Sequence, residues 1–197
     1  MSRYQPDPKV QALAAEILNF RMPSGESYEE LLRDEYPTDA AEMAQDNRRQ
    51  DNLRRMLEQG PKIAKRLVEL RDGHRPSRSM KDALIMAQAI AANEEERFRE
   101  NAEDHQKDIL NVLAPCPRLP QEREKIDDEI SIDHGESIPE KSFAEILRER
   151  GISPAKYAAG RSTERDEALE DQDAHRQLRG LISNLMLELG MDLGRQH

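Results

Sequence analysis

The chain has 197 residues, a formal net charge of −10, and a composition that is 36% charged and only 4% aromatic, with no Trp. Leu, Ile, Val and Phe together make up just under a fifth of it; below that level, strongly charged chains fail to bury enough apolar surface to offset chain entropy, so any core must be thin. A single cysteine, Cys116, excludes an intrachain disulfide, and no apolar run is long enough to cross a bilayer.

The apolar residues present are mainly Leu, Ala, Met and Ile, with few Val. Ala, Leu and Met lose little rotamer freedom in helices, β-branched Val and aromatic residues are scarce, and no alternating strand pattern occurs, which predicts an all-α fold. The residues from Ser2 to Asp7 do not form the apolar core of a signal peptide, so the cytoplasm is the expected compartment.

In chain order, Asp7 as cap and Pro8 at the first position predict a helix to about Met22, with Val10, Leu13, Ala14, Ile17 and Leu18 on one stripe. A short helix follows with Tyr28, Leu31, Leu32 and Tyr36, stopped by Pro37. Thr38 or Asp39 caps a third, polar at first, whose stripe runs from Leu53 through Met56, Ile63, Ala64 and Leu67 to Leu70. Gly60-Pro61 predicts either a kink there or a new helix. After a turn at 73–76, Ser79 caps a segment over 80–92 that is apolar on nearly all faces and is expected to be central and buried. It continues through a charged stretch to Ile109, Leu110, Val112 and Leu113.

Three prolines within 115–120 forbid helix and mark a proline-rich linker at 114–120. The expected organisation is an elongated helical bundle in two parts, an N-terminal helical domain over 1–113 and an acidic helical region over 121–197. Within the second part, Pro139 starts a helix bearing Phe143, Ile146 and Leu147 and ended by Gly151, and Pro154 starts a short helix ended by Gly160. A final helix, capped by Ser162 or Thr163, runs to about Leu193 with Leu178, Leu181, Ile182, Leu185, Met186 and Leu189 at helical spacing. That stripe suits either a core or a contact with another chain, including self-association through 178–193.

Charge is unevenly placed. Segment 48–81 is strongly basic, with Arg48, Arg49, Arg54, Arg55, Lys62, Lys65 and Arg66; segments 121–150 and 164–173 are acidic, the latter holding Glu164, Glu167, Glu170 and Asp171. The basic segment is expected either to dock on 164–173 or to meet a partner. Asp51, Glu58 and Glu69 sit among the cations at intrahelical pairing distances, and no aromatic residues interleave to stack bases, so nucleic acid ranks below a protein partner.

Signals for chemistry are sparse. Glu100-x-x-Glu103 and Glu124-x-x-Asp127 match in bare spacing the carboxylate pattern of all-α, Mg²⁺-dependent nucleotide pyrophosphatases, whose bundles resemble this class of fold. Asp171 and His175 are four residues apart and are expected to form a surface pair. No zinc spacing, phosphate loop or nucleophile elbow occurs. No catalytic residue, metal ligand or cofactor is assigned. The sequence reads first as a non-enzymatic protein–protein interaction protein (adaptor, inhibitor or assembly scaffold), second as a nucleic-acid binder through 48–81, and third as that pyrophosphatase.

Overall fold

A computed structural model describes residues 5–33, 47–114 and 141–191, with side chains 47–53 and 57 left out. The expected cap at Thr38 or Asp39, nearly all of the linker and the acidic stretch after it lie outside the described residues. The fold is all-α: the described elements are helices α1 (Pro8–Leu18), α2 (Tyr28–Arg33), α3 (Asn47–Arg71), α4 (Arg78–Leu113), α5 (Phe143–Glu149) and α6 (Pro154–Glu188). Beside them stands one isolated β-bridge, Arg21 with Ser27.

Local chemistry sets most of the ends. Asp7 accepts from the Lys9 backbone N–H at 2.9 Å and caps α1. α1 stops at Leu18 rather than near Met22, because Pro23 disfavours helical backbone just before it. The chain instead folds into a tight loop closed by Met22 N–H to Glu26 O at 2.9 Å and Tyr28 N–H to Phe20 O at 2.8 Å. Ser27 with Glu30, and Ser142 with Glu145, form reciprocal capping boxes at the starts of α2 and α5. In each, bonds from the serine backbone and side chain hold the glutamate's carboxyl pKa below its ordinary value.

Two expected helix starts or ends are absent. α3 runs through Gly60-Pro61 as one helix, because Met56 before the pair and Ile63, Ala64, Leu67 and Leu70 after it are buried in the same core. Gly60 is there for proximity: a Cβ built on it would lie 2.6 Å from the backbone oxygen of Leu32, so α2 crosses α3 where no side chain fits. Likewise Gly160 does not end a helix, and Ser162 and Thr163 cap nothing; they lie inside α6, where the Thr163 hydroxyl bonds back to Ala159 O at 3.3 Å.

The chain divides into two compact units, Met1–Glu100 with Glu167–His197, and Asn101–Asp166. These do not follow the expected split into 1–113 and 121–197. The first unit's core gathers Val10, Ala14, Ile17 and Leu18 of α1, Tyr28 and Leu32 of α2, the α3 stripe, Met80, Leu84, Ala87, Ile90 and Ala91 of α4, and Leu178, Ile182, Leu185 and Met186 of α6. The Leu/Met-rich end of the chain therefore docks on the N-terminal helices. The segment over 80–92 is not buried all round, since Ile85 remains 53% exposed. In the second unit a small cluster, Val112, Leu147 and Ala158 with Tyr157, holds the α5–α6 hairpin. The Phe143 ring meets Tyr157 edge-on at 5.8 Å.

The three glycines predict opposite outcomes. Gly160→Ala and Gly180→Ala meet open space inside α6 and are each expected to raise stability by up to ~1 kcal/mol through helix propensity. Gly60→Ala has the same propensity gain but must displace the α2 backbone, and is expected to lower the unfolding midpoint. Thermal unfolding followed by circular dichroism checks both signs.

Candidate interaction surfaces

The buried stripe of α3 fixes what the opposite side presents. With Met56, Ile63, Ala64, Leu67 and Leu70 inward, Arg54, Arg55, Lys62 and Lys65 are exposed. Internal pairing removes some of these charges from play. Arg54 pairs with Glu58 at 3.0 Å, Arg66 with Glu69 at 2.6 Å, and Arg71 with Asp72 at 3.1 Å and Glu29 at 3.7 Å. Arg55, Lys62 and Lys65 have no ion pair among the described residues. Their spacing of seven and three keeps them near one side of α3. Arg48 and Arg49 lie in the first turn of α3, with side chains outside the described residues.

Among the described residues of the first unit no ion pair joins the basic segment to 167–173. In the second unit, Arg161 gathers Glu164 at 2.6 Å, Asp108 at 3.4 Å and the Tyr157 hydroxyl at 3.2 Å, and His105 stands 3.5 Å from the same Glu164. In the first unit, Asp173 pairs with Arg176 at 2.7 Å, whereas Glu167 and Glu170 are exposed and have no ion pair among the described residues. Leu169, on another face of α6, is 41% exposed.

Of the expected Leu/Met contact residues, Leu185 and Met186 are fully committed to the core and offer no area to a partner. Leu181 and Leu189 are partly buried and pack against that core. The physical reason is the scarcity of apolar residues: α1 to α4 cannot close a core without this stripe.

Asp171 and His175 are not a surface pair. His175 is buried at 5% exposure, stacked on Phe98 with ring centroids 5.6 Å apart. Its Nδ1 has no hydrogen-bond partner. Burial, helped by the Arg97 cation, lowers its pKa to about 4. Asp171 is pushed above its ordinary value by burial, against the pull of Arg97. Nearby, Glu95 of α4 faces two guanidinium groups of α6, Arg176 at 3.1 Å and Arg179 at 3.0 Å, and Gln88 donates to the Ser183 hydroxyl at 2.9 Å. These contacts fix the facing of α4 and α6 within this unit. Spacing could have paired residues within each helix but not across them, which is why the polar seam is absent from a sequence reading.

A further feature is an open groove of about 430 Å³ lined by Pro76, Ser77, Arg78, Met80, Lys81, Leu189 and Met191. Among the described residues no three His, Cys, Asp or Glu side chains converge to hold a metal. Glu124 and Asp127, half of the carboxylate pattern, lie outside the described residues. No helix of the described residues is long and apolar enough to cross a membrane. The chain matches no protein-family model, no curated protein and no solved structure.

Burial of neutral His175 makes stability depend on pH with a defined sign. Its folded pKa of about 4 lies below the unfolded value of 6.5, so the unfolded chain binds the proton more readily. The contribution is complete above about pH 6.5 and is lost as pH falls towards 4, on the order of 3 kcal/mol across that window. His175→Phe keeps a ring on Phe98 and is expected to flatten this part of the profile in denaturant titrations at a series of pH values. An unchanged slope would place the titrating group elsewhere.

Proposed function

We propose that this chain is a non-enzymatic protein–protein interaction protein of the cytoplasm, an adaptor, inhibitor or assembly scaffold acting through charged helical surfaces. The exposed cations on α3, Arg55, Lys62 and Lys65, none with an ion pair among the described residues, carry the reading. Like charges gathered near one side of an exposed helix repel one another, and an anionic surface relieves that repulsion. Complementary charge supplies specificity and association rate more than affinity, which suits a binding surface without a deep pocket. The exposed Glu167 and Glu170 on α6 add a face of opposite sign for a second contact, as an adaptor or scaffold requires.

The same cations support a second reading, binding to a nucleic-acid backbone. The described face of α3 carries no aromatic side chain to stack on bases, so such binding would be non-specific and steeply salt-dependent.

Affinity capture from the native host separates the two readings. Wild type is expected to retain a protein partner after nuclease treatment, and the triple reversal Arg55→Glu, Lys62→Glu, Lys65→Glu to lose it. If the partner persists on the reversed variant, α3 is not the contact. Retention abolished by nuclease instead favours the nucleic-acid reading.

A further inference from the structure

Charged residues make up 36% of the chain, yet residues 83–93 of α4 and 180–187 of α6 hold none. Burial explains the inward faces of these runs, where Leu84, Ala87 and Ile90 meet the same core as Ile182, Leu185 and Met186. It does not explain the outward faces. On α4, Ala89 is exposed and Ile85 is 53% exposed; on α6, Gly180 is exposed and Leu187 is 59% exposed. Polar contacts within this unit set these positions side by side. Glu95 meets Arg176 and Arg179, and Gln88 donates to Ser183, so α4 and α6 run antiparallel. One turn beyond the Gln88–Ser183 bond, Ile85 comes level with Leu187. One turn the other way, Ala92 comes level with Gly180, where a Cβ would meet open space. The two helices share an uncharged outer strip with two large apolar side chains together on it. Depletion of charge marks the centre of a protein interface, and neighbouring exposed apolar side chains mark a contact site.

We infer that this strip joins two copies of the chain about a two-fold axis, with α4 of one copy antiparallel to α4 of the other. The pattern on α4 is self-complementary. Arg78, Ile85, Ala89, Ala92 and Glu96 fall within about 60° of one another round the helix. From Ile85 to Glu96 their spacing is four, three and four, that of a coiled-coil seam. An antiparallel pairing centred on position 87 sets Ile85 of each copy against the small Ala89 of the other. The same pairing sets Arg78 of each copy against Glu96 of the other. Arg78 is exposed with no ion pair among the described residues. Glu96 pairs with Arg99 one turn on in its own helix; such an exposed pair is weakly held, and a carboxylate can accept from two guanidinium groups, as Glu95 does. A parallel pairing would set Arg78 against Arg78 and Glu96 against Glu96. The exposed Asp82, about 60° round from Ile85, lies at the rim. A two-fold contact uses the same patch on both copies, so it closes at two chains. It does not rest on the cations of α3, which belong to another helix and are tested apart from it.

Each copy carries a net charge of −10, which opposes association at low salt. At about 0.1 M salt the Debye length is about 10 Å, which screens this long-range repulsion more than the contact pairs. Sedimentation equilibrium of the full chain at that ionic strength is expected to show a mass that rises with concentration to that of two chains and no further. Ile85→Glu with Leu187→Glu is expected to stay at the mass of one chain. Both side chains are more than half exposed, and circular dichroism checks that the variant keeps its fold. Arg78→Glu alone and Glu96→Arg alone are each expected to weaken the dimer. The two together in one chain are expected to restore it, because each reversed charge then meets a reversed partner. A wild type that stays monomeric, a dimer unmoved by Ile85→Glu with Leu187→Glu, or single reversals that their combination does not rescue, overturns the inference. If wild type is monomeric and captures a host protein that Ile85→Glu with Leu187→Glu loses, the strip belongs to a foreign helix. Self-pairing then fails while the interaction reading stands.

Discussion

Apolar side chains are scarce in this chain, and the consequences reach every element. No helix can be coated with them, so each carries one stripe, and a stripe is stable only when others cover it. Leu84, Leu178, Ile182 and Leu185 are completely buried, and each such side chain contributes roughly 1.5–3 kcal/mol by leaving water. That gain exists only because α1, α2, α3, α4 and α6 pool their stripes in one place. The C-terminal residues thereby complete a core begun at the N-terminus, and the first compact unit is discontinuous along the chain.

Pooling the apolar residues leaves the remaining faces to charge. Most of that charge is neutralised locally, by pairs one turn apart such as Arg54 with Glu58, Arg97 with Glu94 and Lys107 with Asp104. Exposed pairs of this kind add little stability each but support long helices that have little else to hold their outer faces. Among the exposed charges with no ion pair among the described residues are Arg55, Lys62 and Lys65 on α3, Arg78 and Lys81 at the start of α4, and Glu167 and Glu170 on α6.

The polar seam between α4 and α6 in the first unit has a different role. Glu95 held by Arg176 and Arg179, Gln88 bonded to Ser183, and His175 stacked on Phe98 all require one facing of the two helices. Apolar stripes alone tolerate sliding, whereas a mispaired buried charge or amide does not. The neutral, orphaned imidazole of His175 is the least favourable member of the seam, and it ties the packing of this region to pH.

Helix class, the cap at Asp7, the amphipathic stripe of α3 and the basic and acidic segments were all legible in the residues, because each depends on neighbours within a turn or two. The new helix expected as one alternative at Gly60-Pro61 and the helix end expected at Gly160 failed for a common reason. Local propensity marks a weak point in a helix, but burial on both sides of Gly60-Pro61, and the continuous helix around Gly160, decide whether the chain breaks there. The core-or-contact ambiguity of 178–189 had the same origin, since a stripe's period shows that it needs a cover and not which helix supplies it. By itself the sequence determined that the protein is helical, thinly cored and divided by charge, for these follow from composition and spacing at short range. Only the tertiary structure decided that Leu185 and Met186 are spent inside, that His175 is buried rather than paired on the surface, and that Met80, Leu189 and Met191 share a groove beneath Arg78 and Lys81. Those outcomes depend on contacts between residues far apart in the chain, whose energies no local pattern encodes.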